Sequence, residues 1–214
     1  MTMIRQIPFK LAVIDLDNTL YAADNGVFSR MDARMNAYIQ RELKLDFDQA
    51  NAMRVKYWRQ YGSTLHGLML HHGQDAETFL LEAHDIAAHE LLMPNATLAQ
   101  TLAQIPVRKV IHTNGTREHA EKILEVLGVQ HHFAEIYDIR FNQYQPKPNV
   151  STLLQLFEKE QVEGRDVLVV DDMPNNLTAA KEAGAKTAWV HADAANNIHE
   201  WDIAATSFSG LLRD

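Results

Sequence analysis

Three features of the sequence predict an α/β fold, with a Rossmann-like parallel sheet as its core and a helical-bundle cap domain inserted into it. Short apolar runs recur along the chain, helical periodicity fills the intervals between the later runs, and a long helical stretch without a strand follows the first run. The runs are residues 11–16 (LAVIDL), 107–112 (VRKVIH), 167–170 (VLVV) and 186–191 (KTAWVH), with a weaker one at 135–139. Runs this short and apolar suit strands covered on both faces, as in a parallel sheet. Alternation with helices implies right-handed crossovers.

Each intervening element has its own signal. Thr116 can cap a helix whose apolar face is Ala120, Ile123, Leu124 and Leu127, with Gly128 as its stop. Residues 174–183 form another, ended by Gly184. Between Val27 and Leu92 the periodicity is helical throughout. Ser29 followed by Asp32 reads as a capping box, and Met31, Met35, Tyr38 and Ile39 then share a face. A later helix from Asp75 groups Phe79, Ala83, Ile86 and Leu91. An all-helical block interrupting a strand–helix series forms its own layer. The expected division is therefore a core of residues 1–22 and 93–214 and a cap of residues 23–92.

Composition narrows the class of function. With 214 residues the chain can bury a core without staples, and having no cysteine it can form neither disulfides nor thiolate zinc sites. This is compatible with a cytoplasmic setting. The formal charge of -8 argues against a nucleic-acid polymer as partner, while leaving room for a small anion in a locally positive pocket. The opening MTMIRQIPFK has no signal-peptide pattern, and no run is long and apolar enough for a membrane helix. The sequons at Asn95, Asn114 and Asn176 read as chance, and the pairs His71–His72 and His131–His132 lack helical metal-ligand spacing. Oligomeric state leaves no trace in the sequence.

The chemistry gathers where strands end. DLDNT follows the first run, with Asp15 and Asp17 two residues apart, so in extended geometry both carboxylates face one side. Two such charges need a cation or a shared proton, although taken alone the pair equally suits a solvated turn or a helix cap. The second run ends in HTNG, where Thr113 offers a hydroxyl and Asn114 and Gly115 offer amides near a helix start, an anion site or simply a capping turn. Lys147 sits between Pro146 and Pro148, which stiffen its backbone. VLVV ends in Asp171 and Asp172, with Asn176 close behind; adjacent acids at a buried strand end require compensation.

In this order DLDNT, HTNG, PKP and DDMPNN resemble the haloacid-dehalogenase-like (HAD) phosphatase superfamily, and the helical insertion falls where that superfamily carries a cap. The strings DLDNTLY, RMDARMNAYI, YGSTLHGLM, TNGTREHAEKILEVLG, PKP and VDDMPNNL look like its pyrimidine 5′-nucleotidase branch. The resemblance implies a Mg²⁺-dependent phosphomonoesterase. Asp15 would be the nucleophile and Asp17 the general acid and base. Thr113, the Asn114 amide and Lys147 would hold the phosphoryl oxygens. Asp15, the Asp17 carbonyl and Asp172 would ligate the metal, with Asp171 and Asn176 steadying them. Asn176 stands where many relatives carry an acid, and Met173 where a Ser is common. Cap-side candidates for substrate contact are Asn18, Tyr21, Arg30, Arg34, Tyr61, Thr64 and His66, with Tyr144 a weaker one. The implied partner is a small phosphorylated metabolite, first a pyrimidine nucleoside monophosphate. Phosphoglycolate, sugar phosphates and pyridoxal phosphate are alternatives, as are a phosphomutase and a non-catalytic phosphometabolite-binding module. A dehalogenase of this fold would not need Asp17.

Overall fold

The computed structural model describes residues 4, 7–196 and 200–212. Six parallel strands form one sheet: β1 (Leu11–Ile14), β2 (Arg108–His112), β3 (Glu135–Tyr137), β4 (Val167–Asp171), β5 (Lys186–Val190) and β6 (Ile203–Ala205). Their spatial order is β3-β2-β1-β4-β5-β6. β1 lies between β2 and β4, with Ile14 opposite both Ile111 and Val170. The chain moves outward from β1 through β2 and β3, then returns to the other side of β1 as β4. That reversal opens a crevice beyond the carboxyl ends of β1 and β4, the usual ligand position in an open α/β sheet.

Strand periodicity divides the core. Ala12, Ile14, Ile111, Leu168 and Val170 face one side of the sheet, where α5 (Ala96–Ala103) and α6 (Arg117–Leu127) supply Leu98, Leu102, Ile123 and Leu124. Leu11, Val13, Val110, Val167 and Val169 face the other, against Leu153, Leu156 and Phe157 of α7 (Val150–Lys159) and Leu177 of α8 (Pro174–Glu182). The alternation explains why these strands read as unbroken apolar runs. A helical segment expected after the PKP loop is α7; the sequence reading did not anticipate α5 or β6, the latter a three-residue strand too short to carry a periodic signal.

Four helices lie between β1 and α5: α1 (Val27–Leu43), α2 (Phe47–Tyr61), α3 (Thr64–His72) and α4 (Ala76–Ala83). They enclose their own apolar cluster around Tyr38, Ile39, Tyr57, Leu68 and Phe79. At Gly67 α2 and α3 touch so closely that a Cβ would lie 2.3 Å from the Tyr57 ring. The structure corrects two local expectations. Ser29 lies inside α1, which starts at Val27, where Asn25 Oδ1 accepts the Val27 amide at 2.9 Å; Asp32 instead pairs with Arg54. And α4 stops at Ala83, so Phe79 and Ala83 stay with the inserted helices, whereas Ile86 and Leu91 pack on the sheet-side cluster. The first turn of α1 does the same through Val27 and Met31. Both ends of the inserted block are thus sewn to the sheet.

A charged seam adds to this. Arg140, beyond β3, binds both Glu77 oxygens of α4 (2.9 and 2.8 Å) and Glu118 of α6 (2.8 Å), while Tyr144 donates to Glu77 at 2.6 Å. Hydrogen bonds from Arg140 and Tyr144 pull the Glu77 carboxyl from 4.5 to about 2. A depressed carboxyl contributes stability above its unfolded pKa and loses it as pH falls through the folded one. Arg140→Met should therefore destabilise the protein by about 0.5–1 kcal/mol at pH 7, since the pair is half exposed. The difference from wild type should shrink between pH 4.5 and about 2, and urea melts across that range measure it.

Candidate active site

Asp15 is the first residue beyond β1, its amide tied to the Val170 carbonyl of β4 at 2.9 Å, so the backbone that continues the sheet also aims the carboxylate into the crevice. It is buried, with Oδ2 accepting the Thr19 hydroxyl at 2.9 Å and Oδ1 accepting Lys147 Nζ at 2.6 Å. Lys147 Nζ also donates to Asp171 Oδ2 and to the His112 carbonyl, both at 2.9 Å. One ammonium thus links the ends of β1, β2 and β4. Burial pushes the Asp15 carboxyl up to about 7, Lys147 pulling it down less than burial and the Asp171 charge raise it. Burial also works against the Lys147 charge, but Asp15 and Asp171 outweigh it and hold the ammonium above its ordinary value.

The two acids after β4 differ. Asp171 has both oxygens engaged: Oδ1 accepts the Met173 amide at 2.9 Å, Oδ2 accepts Lys147, and Asn176 Nδ2 reaches both at 2.9 and 3.0 Å. Asp172 is oriented through its carbonyl, which accepts the Trp189 indole at 2.8 Å. Burial, then the Asp15 and Asp171 charges, raise its carboxyl to about 8. Oxygens of Asp15, Asp171 and Asp172 lie within 4.8 Å of one another. A cluster of oxygens alone suits a hard divalent cation such as Mg²⁺. Asn176 spends its amide hydrogens on Asp171, a contact that an acid at this position could not donate.

The HTNG turn faces this cluster. Thr113 is buried, and its Oγ1 accepts the Gly115 amide at 2.9 Å, leaving the hydroxyl proton for another acceptor. The Asn114 side chain has a second use. Its Oδ1 accepts the Lys147 amide at 2.8 Å and its Nδ2 donates to the Lys147 carbonyl at 3.2 Å, clamping the PKP loop. The sequence reading valued only the Asn114 amide.

Asp17 lies in a different environment. Its Oδ1 accepts the Tyr21 hydroxyl and the His119 ring, Nε2 at 2.9 Å. An ionised carboxylate only accepts, so His119 carries its proton on Nε2. Burial raises the Asp17 carboxyl, yet His119, Tyr21 and His84 together hold it below the usual range. Tyr21 is therefore drawn to Asp17, not displayed to the inserted helices. His119 and Thr19 escaped sequence reasoning: Thr19 ends the DLDNT motif, and His119 looked like one more residue in the first turn of a helix.

The remaining candidates scatter. Arg30 pairs with Glu90 at 2.6 Å, and Arg34 pairs with Asp85 on the surface. The Tyr61 hydroxyl meets His71 Nε2 at 2.6 Å, the Thr64 hydroxyl donates to the Arg54 carbonyl at 3.1 Å, and the His66 ring lies beside Tyr61. The corner containing Tyr61 and Thr64 does reach the site's edge, because a Cβ at Gly62 would come within 2.8 Å of the Lys147 carbonyl. Asn18 has a left-handed backbone, φ 63°, and its Oδ1 is a buried atom without a hydrogen-bond partner.

Removing the ammonium leaves Asp15 and Asp171 facing each other. Lys147→Met should cost about 3–5 kcal/mol at pH 8 in chelator, as for a buried pair deprived of one member. The loss should be smaller at pH 5, below the Asp15 value of about 7, where that carboxyl takes up a proton. Denaturant melts at the two pH values test both the size and the sign.

The model of the haloacid dehalogenase-like hydrolases matches residues 9–184. Phosphate metabolism protein 8 of Saccharomyces cerevisiae is 25% identical over 140 residues, 60% of this chain and 42% of that protein, so the chain spans less than half of that relative's length. A HAD phosphatase from Thermococcus onnurineus superposes with a TM-score of 0.64 at 16% identity, covering 94% of each chain. The L-2-haloacid dehalogenase of Xanthobacter autotrophicus with chloropropionic acid covalently bound does so with a TM-score of 0.59 at 18% identity, covering 96% of this chain and 97% of that one. Likenesses at such low identity carry the fold alone. The family match, however, takes in DLDNT, HTNG, PKP and DDMPNN together, and the chain belongs to the haloacid dehalogenase-like hydrolases.

Proposed function

We propose that this hydrolase is a Mg²⁺-dependent phosphomonoesterase working through an aspartyl-phosphate, with pyrimidine nucleoside 5′-monophosphates as its substrates. The observation that carries the reading is the buried Lys147 ammonium, 2.6 Å from Asp15 Oδ1, beside the carboxylates of Asp171 and Asp172. A nucleophile held against a fixed cation, next to an oxygen cluster fit for a metal, suits a dianionic phosphoryl group.

In the first half-reaction an Asp15 oxygen bonds to phosphorus as the ester P–O bond breaks, and the leaving oxygen takes a proton from Asp17. In the second, Asp17 takes a proton from water, whose oxygen bonds to phosphorus and releases the Asp15 carboxylate and phosphate. Splitting one hard displacement into two is the gain of covalent catalysis. Asp17 is held below the usual carboxylate range in the free protein, which suits its role as base. An arriving phosphoryl charge raises it toward the acid form, because like charges disfavour ionisation. Lys147 Nζ, the Thr113 hydroxyl and the Asn114 amide hold the phosphoryl oxygens. Asp15, the Asp17 carbonyl and Asp172 would hold Mg²⁺, which would supply neutralising charge there, while Asp171 and Asn176 would brace its surroundings.

The inserted helices, residues 23–92, act as a cap that excludes water and selects the substrate, with Tyr61, Thr64 and His66, near the Gly62 corner that rests on the PKP loop, and Asn18 of the DLDNT motif as the candidate contacts. Support for nucleotides comes from the branch-like strings in the sequence; support for phosphate chemistry comes also from the name of the yeast relative. A cytoplasmic setting fits the cysteine-free composition, and no helix among the described residues is long and apolar enough to cross a membrane.

With Mg²⁺ the protein should release inorganic phosphate from p-nitrophenyl phosphate, lose that activity in chelator, and lose about 10⁴-fold or more in kcat on Asp15→Asn. Full turnover by that variant would refute the nucleophile. A metabolite panel should show UMP and CMP favoured at least about tenfold in kcat/KM over phosphoglycolate, sugar phosphates and pyridoxal phosphate. Uniform rates would sink the nucleotidase reading and spare the phosphatase, whereas an isomerised sugar phosphate without free phosphate would mark a mutase.

A further inference from the structure

Two histidines outside the four motifs stand behind Asp17. His119, in the first turn of α6, is buried, and its amide is capped by Thr116 Oγ1 at 3.2 Å, so the ring is anchored from the backbone. Its Nε2 meets Asp17 Oδ1 at 2.9 Å. Against its face lies the His84 ring, centroid to centroid 4.7 Å, also buried. His84 ends α4, where its Nδ1 lies 2.9 Å from the Leu80 carbonyl, so it belongs to the inserted helices while His119 belongs to the sheet domain. Gly115 of the phosphate-side turn makes room for the pair. A Cβ there would sit 3.2 Å from His119 Cδ2 and 3.5 Å from His84 Nε2.

We infer that His119, backed by His84, is the positioning residue of Asp17: with Tyr21 it pins Oδ1, so that Oδ2 is turned toward the reacting oxygen. This rests on the proposed role of Asp17 in proton transfer. The geometry supports it in three ways. Both donors converge on the same oxygen, which leaves the other for chemistry. His119 approaches Asp17 and makes no hydrogen bond to Asp15, Asp171 or Asp172, so it acts through the acid and not on the phosphoryl group. And its support comes from the inserted helices, so the orientation of Asp17 depends on where that block is seated. A carboxylate left with one donor would sample several rotamers, and misplacement of a proton donor is costly in rate.

Leaving-group dependence separates this from a merely structural ring. Expelling an alkoxide needs the proton from Asp17, whereas expelling p-nitrophenolate hardly does. His119→Ala should lower kcat/KM, which reports the first half-reaction alone and not the water step that both substrates share, by about 10²-fold on a nucleoside monophosphate, the low end of general acid catalysis, and by less than about fivefold on p-nitrophenyl phosphate. His119→Gln, which restores an N–H donor, should recover about tenfold of the loss. His84→Ala should move the ratio in the same direction, more weakly. The ratio of the two rates is unaffected by the fraction of enzyme that folds. Equal losses on both substrates, or no loss, would overturn the inference. Asp17→Asn serves as the control: if it too lacks leaving-group selectivity, the role of Asp17 fails; if it is selective and His119→Ala is not, only the positioning role fails.

Discussion

The site depends on one buried ammonium. Lys147 Nζ touches Asp15 Oδ1, Asp171 Oδ2 and the His112 carbonyl, and so joins the carboxyl ends of the three central strands. Without it two carboxylates would face each other in a low-dielectric crevice, a costly arrangement that would have to take up a proton or open to water. Around it the neighbouring parts are braced in turn. Asn114 clamps the backbone of Lys147, Asn176 holds both oxygens of Asp171, and Thr19 holds the second oxygen of Asp15. These contacts hold the charged groups of the crevice in place before any ligand arrives, which is the condition for electrostatic stabilisation without reorganisation.

The same crevice holds two carboxylates of opposite character only two residues apart. Asp15 is raised by burial despite its lysine, while Asp17 is lowered by two donors on one oxygen despite burial. Pairs of titratable groups driven apart by their surroundings mark acid–base assignments. Here the separation arises because alternate residues of DLDNT meet different neighbours. Asp15 looks along the sheet to Lys147, and Asp17 looks to α6 and its His119.

The inserted helices are tied to the sheet domain by three kinds of contact. Val27, Met31, Ile86 and Leu91 share the sheet-side apolar cluster, Arg140 bridges Glu77 to Glu118, and His84 packs on His119. The last of these stands one side chain from Asp17, so the placement of the inserted helices and the geometry of that carboxylate are mechanically joined. Gly62 adds a further contact by resting against the Lys147 carbonyl.

Much of this was legible in local pattern. Apolar runs marked five strands, because a strand buried on both faces must be apolar throughout, and Thr116 and Gly128 marked both ends of α6, because capping is a property of neighbouring residues. Asp15, Thr113, Lys147 and Asp172 were legible because parallel strands deliver the residues that follow them to one edge of the sheet. What local pattern could not show was contact between distant segments. The start of α1 was misread because Ser29 and Asp32 satisfied a capping template while the turn at Asn25 and Gly26 came first. The face of α4 was misread because the helix ends at His84 and the chain then turns to the sheet. His119 and Asp17 are 102 residues apart, and nothing in the neighbourhood of either announces the other. The sequence by itself determined the strands, the caps and the identities of the motif residues, since these depend on periodicity and side-chain chemistry. Only the tertiary structure decided which carboxylate meets the lysine, which meets the histidine, and which stands open, because charge partners are assigned by how the strands and helices pack.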